Sequence, residues 1–367
     1  ITGVATYIDI SGTVLQSSFY YMLGVKGYWV TYRGALSLTL AFLVIFMAKW
    51  HRRANVMTNA ELMELRFGSG LQGRTARVLS ALSILVMAIT TMPYFFIGSG
   101  KFLEGYLPYS AMTCALIFTA VTLVYTSLSG FLGVVYTDVF QAILIIIGMA
   151  FVTVKALMIG TPEYYAQHAP EGWLTLTPSW QMPMAQGYEN MQLFSLLIIV
   201  WILANVTQGF AQPFDAGSSQ RFYAARNEKE GSLLAFQWLV LMSFRYLFMM
   251  GIGILALALK DRITDPERAV TEVINHYFPI GLKGLLIAAM LAAAMSTLSS
   301  GINSSVAYVI NDLYKRFINP RASEKRMVRM GMVMTVIIVL AGLLMGLGLK
   351  TINEIWVWVI VALFAGM

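Results

Sequence analysis

Charge is scarce in this sequence. Of 367 residues only 25 are Lys or Arg and 18 are Asp or Glu, 12% in all, where soluble chains carry about 25%. That shortage excludes an ordinary soluble protein, because a chain 58% hydrophobic with so few charges would aggregate. Cysteine is nearly absent too: Cys114 alone excludes a disulfide scaffold, and its place inside an apolar run marks it as a small buried hydrophobe. The apolar residues show no heptad period, which excludes a coiled coil, and their abundance excludes disorder. Three histidines, His51, His168 and His276, stand in connections without metal-ligand spacing. No serine-hydrolase elbow, Walker loop, HExxH or paired catalytic acids occur, so an enzyme is not expected.

Long apolar stretches are what remains, and they identify a polytopic all-α membrane protein. Breaks in hydropathy predict ten spans, at roughly 2–24, 30–49, 75–103, 109–127, 132–159, 189–213, 232–259, 282–314, 327–348 and 352–367. The charge-free segment Gly105–Thr137 is too long for one crossing, and Thr126-Ser127-Leu128-Ser129-Gly130 supplies the expected break. The chain opens on Ile1 inside one apolar segment and stops at Met367 inside another, without a basic leader. It reads as a fragment lacking flanking helices.

The net charge of +7 could suggest a nucleic-acid partner. The basic residues, however, lie in short connections: 49–77, 214–231 and 315–329 hold 6, 3 and 6 of them. Those connections are assigned to the cytoplasm by the positive-inside rule, and the expected environment is a lipid bilayer rather than nucleic acid. The connection from Gly160 to Tyr188 holds no Lys or Arg but carries four prolines with Trp173 and Trp180, as an external loop lying on the interface would. It divides the chain into residues 1–160 and 189–367, five spans each. An odd number forces the second half to enter with opposite orientation, the arrangement of an inverted repeat.

Polar side chains at membrane depth need partners and so carry the functional information. The densest group is Ala293-Ala294-Met295-Ser296-Thr297-Leu298-Ser299-Ser300-Gly301-Ile302-Asn303-Ser304-Ser305. Ser296, Ser300 and Asn303 share one helical face, giving a stripe of oxygens that a hard cation would take; hydroxyls bonding back to i−4 carbonyls are the alternative. Asp138, in the fifth span, needs a cation, a proton or a basic partner, unless water at the interface solvates it. Asp9 stands in Ala5-Thr6-Tyr7-Ile8-Asp9-Ile10-Ser11-Gly12-Thr13, which reads as an unwound stretch of the first span or, alternatively, as its interfacial end. Asn205, Gln208 and Gln212, with Gly209 and Pro213, predict a broken or kinked sixth span. The first and sixth spans are counterparts in the repeat, and paired interruptions point to a transporter's binding site. Arg245 is read as a snorkelling or helix-packing residue.

Four stretches resemble the sodium:solute symporter family: Thr58-Asn59-Ala60-Glu61-Leu62-Met63-Glu64-Leu65-Arg66-Phe67-Gly68, Ser129 through Gln141, Gln220-Arg221-Phe222-Tyr223-Ala224-Ala225-Arg226, and Ala292 through Asn303 followed by Asn311-Asp312-Leu313-Tyr314-Lys315. The resemblance implies a LeuT-type fold of two inverted five-helix repeats, with Na⁺ as coupling ion and no organic cofactor. It implies a first Na⁺ site from Ser296, Thr297 and the Ala293 carbonyl, facing the Ala5 and Ile8 carbonyls. A second site, found in some members, would fall on Asp138, Ser299 and Ser300. The resemblance directs the substrate to Asn205, Gln208 and Gln212, with Asp9 meeting either a cationic group or a hydroxylated solute. Sugar-transporting relatives carry a longer amide-bearing motif where this chain has Ile8 to Thr13, a departure that argues against a sugar. The function so implied is sodium-coupled import of a small polar solute (sugar, carboxylate, amino acid or amine) by alternating access across a plasma membrane, the inner membrane if bacterial. A channel or non-transporting sensor on the same scaffold is the alternative.

Overall fold

The computed structural model describes residues 9–32, 43–211, 222–346 and 351–357, without the side chains of 31, 32, 43, 47, 125, 127–141 and 204–211. Among the described residues there are helices and no strands. In chain order they are α1 (Ile10–Leu23), α2 (Gly27–Tyr32), α3 (Ala48–Ala54), α4 (Asn59–Phe67), α5 (Leu71–Glu104), α6 (Ala111–Ile159), α7 (Pro162–His168), α8 (Phe194–Ala211), α9 (Glu228–Leu257), α10 (Ala269–Tyr277), α11 (Ile280–Ala307), α12 (Glu324–Gly346) and α13 (352–357). The end of α11 continues as a π-helical segment, Tyr308–Ile318.

Local sequence sets several of these boundaries. Thr58 caps α4 through a 3.1 Å bond from the Glu61 amide, while Glu61 reaches back to the Met57 amide at 2.7 Å. This is a capping box shifted by one residue. Asn227 starts α9 by accepting from the Glu230 amide, and Thr161 caps α7 with Pro162 in its first turn. Gly24 ends α1 at φ +62°, and a Cβ there would run into the Trp173 backbone and ring.

Among the described residues, five segments are long and apolar enough to cross a membrane: Leu71–Glu104, Ala142–Ile159, Glu228–Leu257, Ile280–Ile318 and Glu324–Gly346. Ala111–Val124 and Phe194–Leu203 are shorter apolar helices. The break expected at Thr126 to Gly130 does not form, since the backbone is helical from Ala111 to Ile159. No proline interrupts that run, and Thr119 and Thr122 bond back to the carbonyls of Ala115 and Phe118 at 2.7 Å each. Ser, Thr and Gly thus sit inside the helix at a modest propensity cost.

At the centre α1 packs against α5, α9 and α11 and against the turn 266–268, while α6 packs on α5, α9 and α11. The loop between α7 and α8 folds onto the outer end of α1. Trp173 is only 3% exposed; its indole donates to the Tyr21 carbonyl at 3.0 Å, and its own carbonyl accepts from the Val25 amide at 3.0 Å. It therefore plugs the end of α1 instead of lying on the interface, because its ring and backbone together satisfy polar groups that the helix end leaves open. Trp180, by contrast, is exposed.

Candidate functional site

The described part of the first span begins at Asp9. Asp9 has extended backbone, φ −71° and ψ 158°, and α1 starts only at Ile10. Its Oδ1 accepts from the Gly12 amide, so the carboxylate caps a helix that begins inside the protein. Ser11 next to it donates to the Tyr94 carbonyl on α5 at 2.7 Å. Gly98, one turn further along α5, lies directly against Ser11. Ala5 and Ile8, the carbonyls assigned to the first Na⁺ site, lie outside the described residues.

Arg245, read from the sequence as a snorkelling or packing residue, comes from α9 to this same point. A guanidinium nitrogen of Arg245 and Asp9 Oδ1 each lie 2.8 Å from where a Cβ would stand on Gly12, with the Tyr94 hydroxyl at 3.0 Å. Arg245 is 5% exposed. A snorkelling side chain would carry its charge to the headgroups; this one carries it inward. The sequence signal was an arginine 17 residues into the 30-residue α9, too deep for a helix end.

The hydroxyl stripe of α11 is buried: Ser296 and Ser299 are fully inaccessible and Thr297 is 7% exposed. Thr297 Oγ1 donates to the Ala293 carbonyl at 2.8 Å, so the two oxygens expected to share an ion lie side by side. Ser304 and Ser305 likewise bond back to the Ser300 and Gly301 carbonyls. Back-bonding and an oxygen-lined face thus coexist on this helix. Ser299 pairs across helices with Thr126 of α6 at 2.6 Å, and Ser300 is half-buried. Asp138 lies on the helical backbone of α6, with its side chain outside the description. Asn205 and Gln208 are on α8, again without described side chains, and Gln212 lies outside the described residues. The continuous backbone of α8 from Phe194 to Ala211 shows no break at Asn205 or Gly209, since an isolated glycine costs a helix only about 1 kcal/mol.

Two buried charge networks, one at each end of the bundle, were not anticipated. On the side assigned to the cytoplasm, Arg77 of α5 binds Glu64 of α4 at 2.6 Å and Asp312 of the π segment at 2.6 Å, and Arg316 binds the other Glu64 oxygen at 2.5 Å. Tyr308 accepts from the Asn59 amide at 2.9 Å, and Tyr223 donates to the Asn59 side chain. Three of the four family-like stretches, those around Glu64, Tyr223 and Asp312, therefore meet here. Burial pushes Glu64 upward, but the bonds and charges of Arg77 and Arg316 outweigh it and hold its carboxyl below the usual range. Burial lowers His51, whose ring meets Tyr223 edge-on at 5.5 Å, to about 4.

At the opposite end, assigned to the outside, Lys101 of α5 binds Glu267 at 2.5 Å and Asp265 at 3.1 Å. Glu267 Oε1 takes the backbone amides of Ile352 and Asn353, at the start of α13, at 2.9 and 3.2 Å. Asn353 reaches Gly187 and Asn190 in turn, and the Tyr188 hydroxyl meets Ser18 of α1 at 2.8 Å. Burial raises the Glu267 carboxyl above its ordinary value, although Lys101 pulls the other way. A cavity of about 730 Å³, lined by Tyr188, Glu189, Asp265, Thr351 and Glu354 among others, opens beside this network.

An all-helical, multi-pass membrane protein whose first described helix packs against a hydroxyl-rich one, tied at both ends, fits a LeuT-type fold. The chain belongs to the sodium:solute symporter family, whose model matches residues 2–367. It is 27% identical over 330 residues to a sodium/mannose cotransporter of Bos taurus, covering 83% of this chain and 54% of the relative. A sodium/proline symporter of Haemophilus influenzae is 28% identical over 298 residues (77% and 56%), and the sodium/sialic acid symporter NanT of Aliivibrio fischeri 24% over 386 (98% and 71%). A solved structure of a Na⁺-coupled sialic acid symporter, substrate-bound and outward-open, superposes with a TM-score of 0.68 at 18% identity, covering 92% of this chain and 72% of that one. The chain spans about half the length of the mannose and proline relatives.

Proposed function

We propose that the protein is a sodium-coupled symporter that imports a small polar solute by alternating access across the plasma membrane, the inner membrane if the host is bacterial. The observation that carries this reading is the packing of α1, which starts at the extended Asp9, against α11, whose Ser296, Thr297 and Ser299 are buried. Family membership supports it, and so do the sodium-coupled relatives. In this reading Ser296, Thr297 and the Ala293 carbonyl hold the first Na⁺ with the Ala5 and Ile8 carbonyls, and Asp138, Ser299 and Ser300 hold a second. The solute meets Asp9, Asn205, Gln208 and Gln212, and residues 1–160 and 189–367 move as inverted repeats about the 161–188 loop. Na⁺ couples by binding one conformation better than the other. Each entering ion contributes about 2.3 kcal/mol per 100 mV of inside-negative potential.

Thr297 Oγ1 keeps lone pairs for an ion while its hydrogen stays on the Ala293 carbonyl, which has a second lone pair of its own. Removing both hydroxyls in Ser296→Ala/Thr297→Ala should therefore abolish Na⁺-driven uptake in liposomes. Wild-type Na⁺ affinity in that double variant would refute the first site. For the second, Asp138→Asn should lower the charge moved per solute; an unchanged ratio assigns the carboxylate a structural role.

A further inference from the structure

A cavity of about 220 Å³ lies in the wedge between α5, α6 and α12. Small residues fix the separation of these helices on either side of it. A Cβ on Gly100 of α5 would meet the Ala111 carbonyl of α6 at 2.4 Å, and one on Gly342 of α12 would meet the Met92 side chain of α5 at 2.2 Å. One contact pins α5 to α6 and the other pins it to α12, while the space beside Phe96 and Ile97 stays open. The cavity floor is buried at Phe96, Ala115, Thr119 and Gly346, and its rim is exposed at Met112 and Leu116.

The wall gives water little to hold. Thr119 spends its hydroxyl on the Ala115 carbonyl at 2.7 Å. Lys101 has its ammonium on Glu267 at 2.5 Å and Asp265 at 3.1 Å, which leaves its methylene stem to the cavity. A water there would lack the polar partners it needs, and a void of this size forfeits contacts on every side. Hydrocarbon surrounds the exposed rim of a bundle that spans a membrane. Lys101 lies in the last turn of α5, Ala111 opens α6, and Gly346 closes α12. The cavity therefore falls near the end assigned to the outside, within the depth of one leaflet. An anionic headgroup gains little from Lys101, whose charge two carboxylates already answer, so the cavity selects a chain.

We propose that the cavity between α5, α6 and α12 binds one acyl chain of a phospholipid from the leaflet at that end, and that the chain braces Lys101 against Glu267. The chain enters past Met112 and Leu116 and packs on the stem of Lys101, which limits the positions from which the ammonium can leave Glu267. Lipid thereby supports the knot that holds the start of α13 through the Ile352 and Asn353 amides.

The test uses the purified full chain in phosphatidylcholine nanodiscs containing a trace of phosphatidylcholine with a diazirine in the middle of one acyl chain, with labelled residues mapped by mass spectrometry. Labelling at residues 96–101, 111–119 and 343–346 should saturate as the reagent fraction rises and should exceed that at the exposed Ile143 and Ile147 by about 5-fold or more, because an empty cavity is costly. Leu343→Phe or Thr119→Phe, each filling the cavity from a different helix, should bring it down to the level of Ile143. Leu344→Phe, on the exposed face beside the cavity, should leave it unchanged. In detergent stripped of phospholipid, the amides of Ile352 and Asn353 should lose about 5-fold in protection against hydrogen exchange, and Leu343→Phe should retain that protection because its ring stands in for the chain. Labelling that rises linearly and matches Ile143 would reduce the site to ordinary surrounding lipid and overturn the proposal. So would disulfide cross-links between two copies through Leu116→Cys that displace the label, since a second copy would then fill the cavity. Equal loss of protection in wild type and Leu343→Phe would overturn the bracing of Lys101.

Discussion

The two ends of the bundle are tied by similar ingredients in different ways. On the cytoplasmic side an arginine is the hub: Arg77 holds two carboxylates, from α4 and from the π segment, and Arg316 satisfies the far oxygen of Glu64. On the external side a carboxylate is the hub: Glu267 holds one lysine and two backbone amides at the start of α13. The cytoplasmic knot is made of side chains around a fork that cannot lose its proton. The external one relies on a carboxylate that burial already pushes toward protonation. Two closures of different chemistry suit the alternating access proposed for this protein.

Cutting the hub of the cytoplasmic knot should have the largest effect. Arg77→Met takes the buried Asp312 from its cation and leaves Glu64 to Arg316 alone, and should cost about 3–5 kcal/mol, read as a lower melting temperature in detergent and faster proteolysis near Glu64. Lys101→Met should cost less, about 1–3 kcal/mol, because Glu267 keeps two amide donors and can take up a proton. Equal losses in the two variants would remove the asymmetry proposed here.

Acid should separate the ends by sign. Glu64, held below its unfolded value, contributes stability above about pH 4.5 that is lost as pH falls through its folded value. His51, lowered to about 4, contributes stability at neutral pH that is lost between about 6.5 and 4. Glu267 is shifted upward, so its contribution is complete below about pH 4.5 and declines as pH rises through its folded value. Protection against hydrogen exchange, taken relative to the intrinsic rate at each pH, should therefore fall from pH 7 to 4 around α3 and α4 and rise around residues 265–268 and 352–353. Parallel behaviour of both ends would defeat the comparison. The smallest expected effect is Tyr308→Phe, which deletes one bond to the Asn59 amide and should cost about 1 kcal/mol, confined to the cytoplasmic exchange pattern.

Legibility in the sequence varied with the range of the interaction involved. Asp9 stood out because an acid, hydroxyls and a glycine in an apolar run are a local anomaly. The oxygen stripe of α11 was visible because helical periodicity aligns Ser296, Ser300 and Asn303. The expected turn at Thr126 to Gly130 failed because the same residue types are tolerated in a helix when hydroxyls bond back to carbonyls. Glu64 and Asp312 were both noticed, but only as parts of separate stretches; their shared partner, Arg77, joins residues 235 and 13 positions away in the chain.

By itself the sequence determined the solvent and the class. Few charges, long apolar runs and basic connections admit only a helical bundle in a bilayer, because hydrocarbon makes every polar exception costly and hence conspicuous. Tertiary structure alone decided which exceptions meet. Arg245 was a misplaced charge on one helix until α9 packed against α1, and only that packing sets its guanidinium opposite Asp9 across Gly12. Periodicity gives the face a residue occupies on its own helix. Which neighbour that face meets depends on how the helices pack, and no local pattern encodes it.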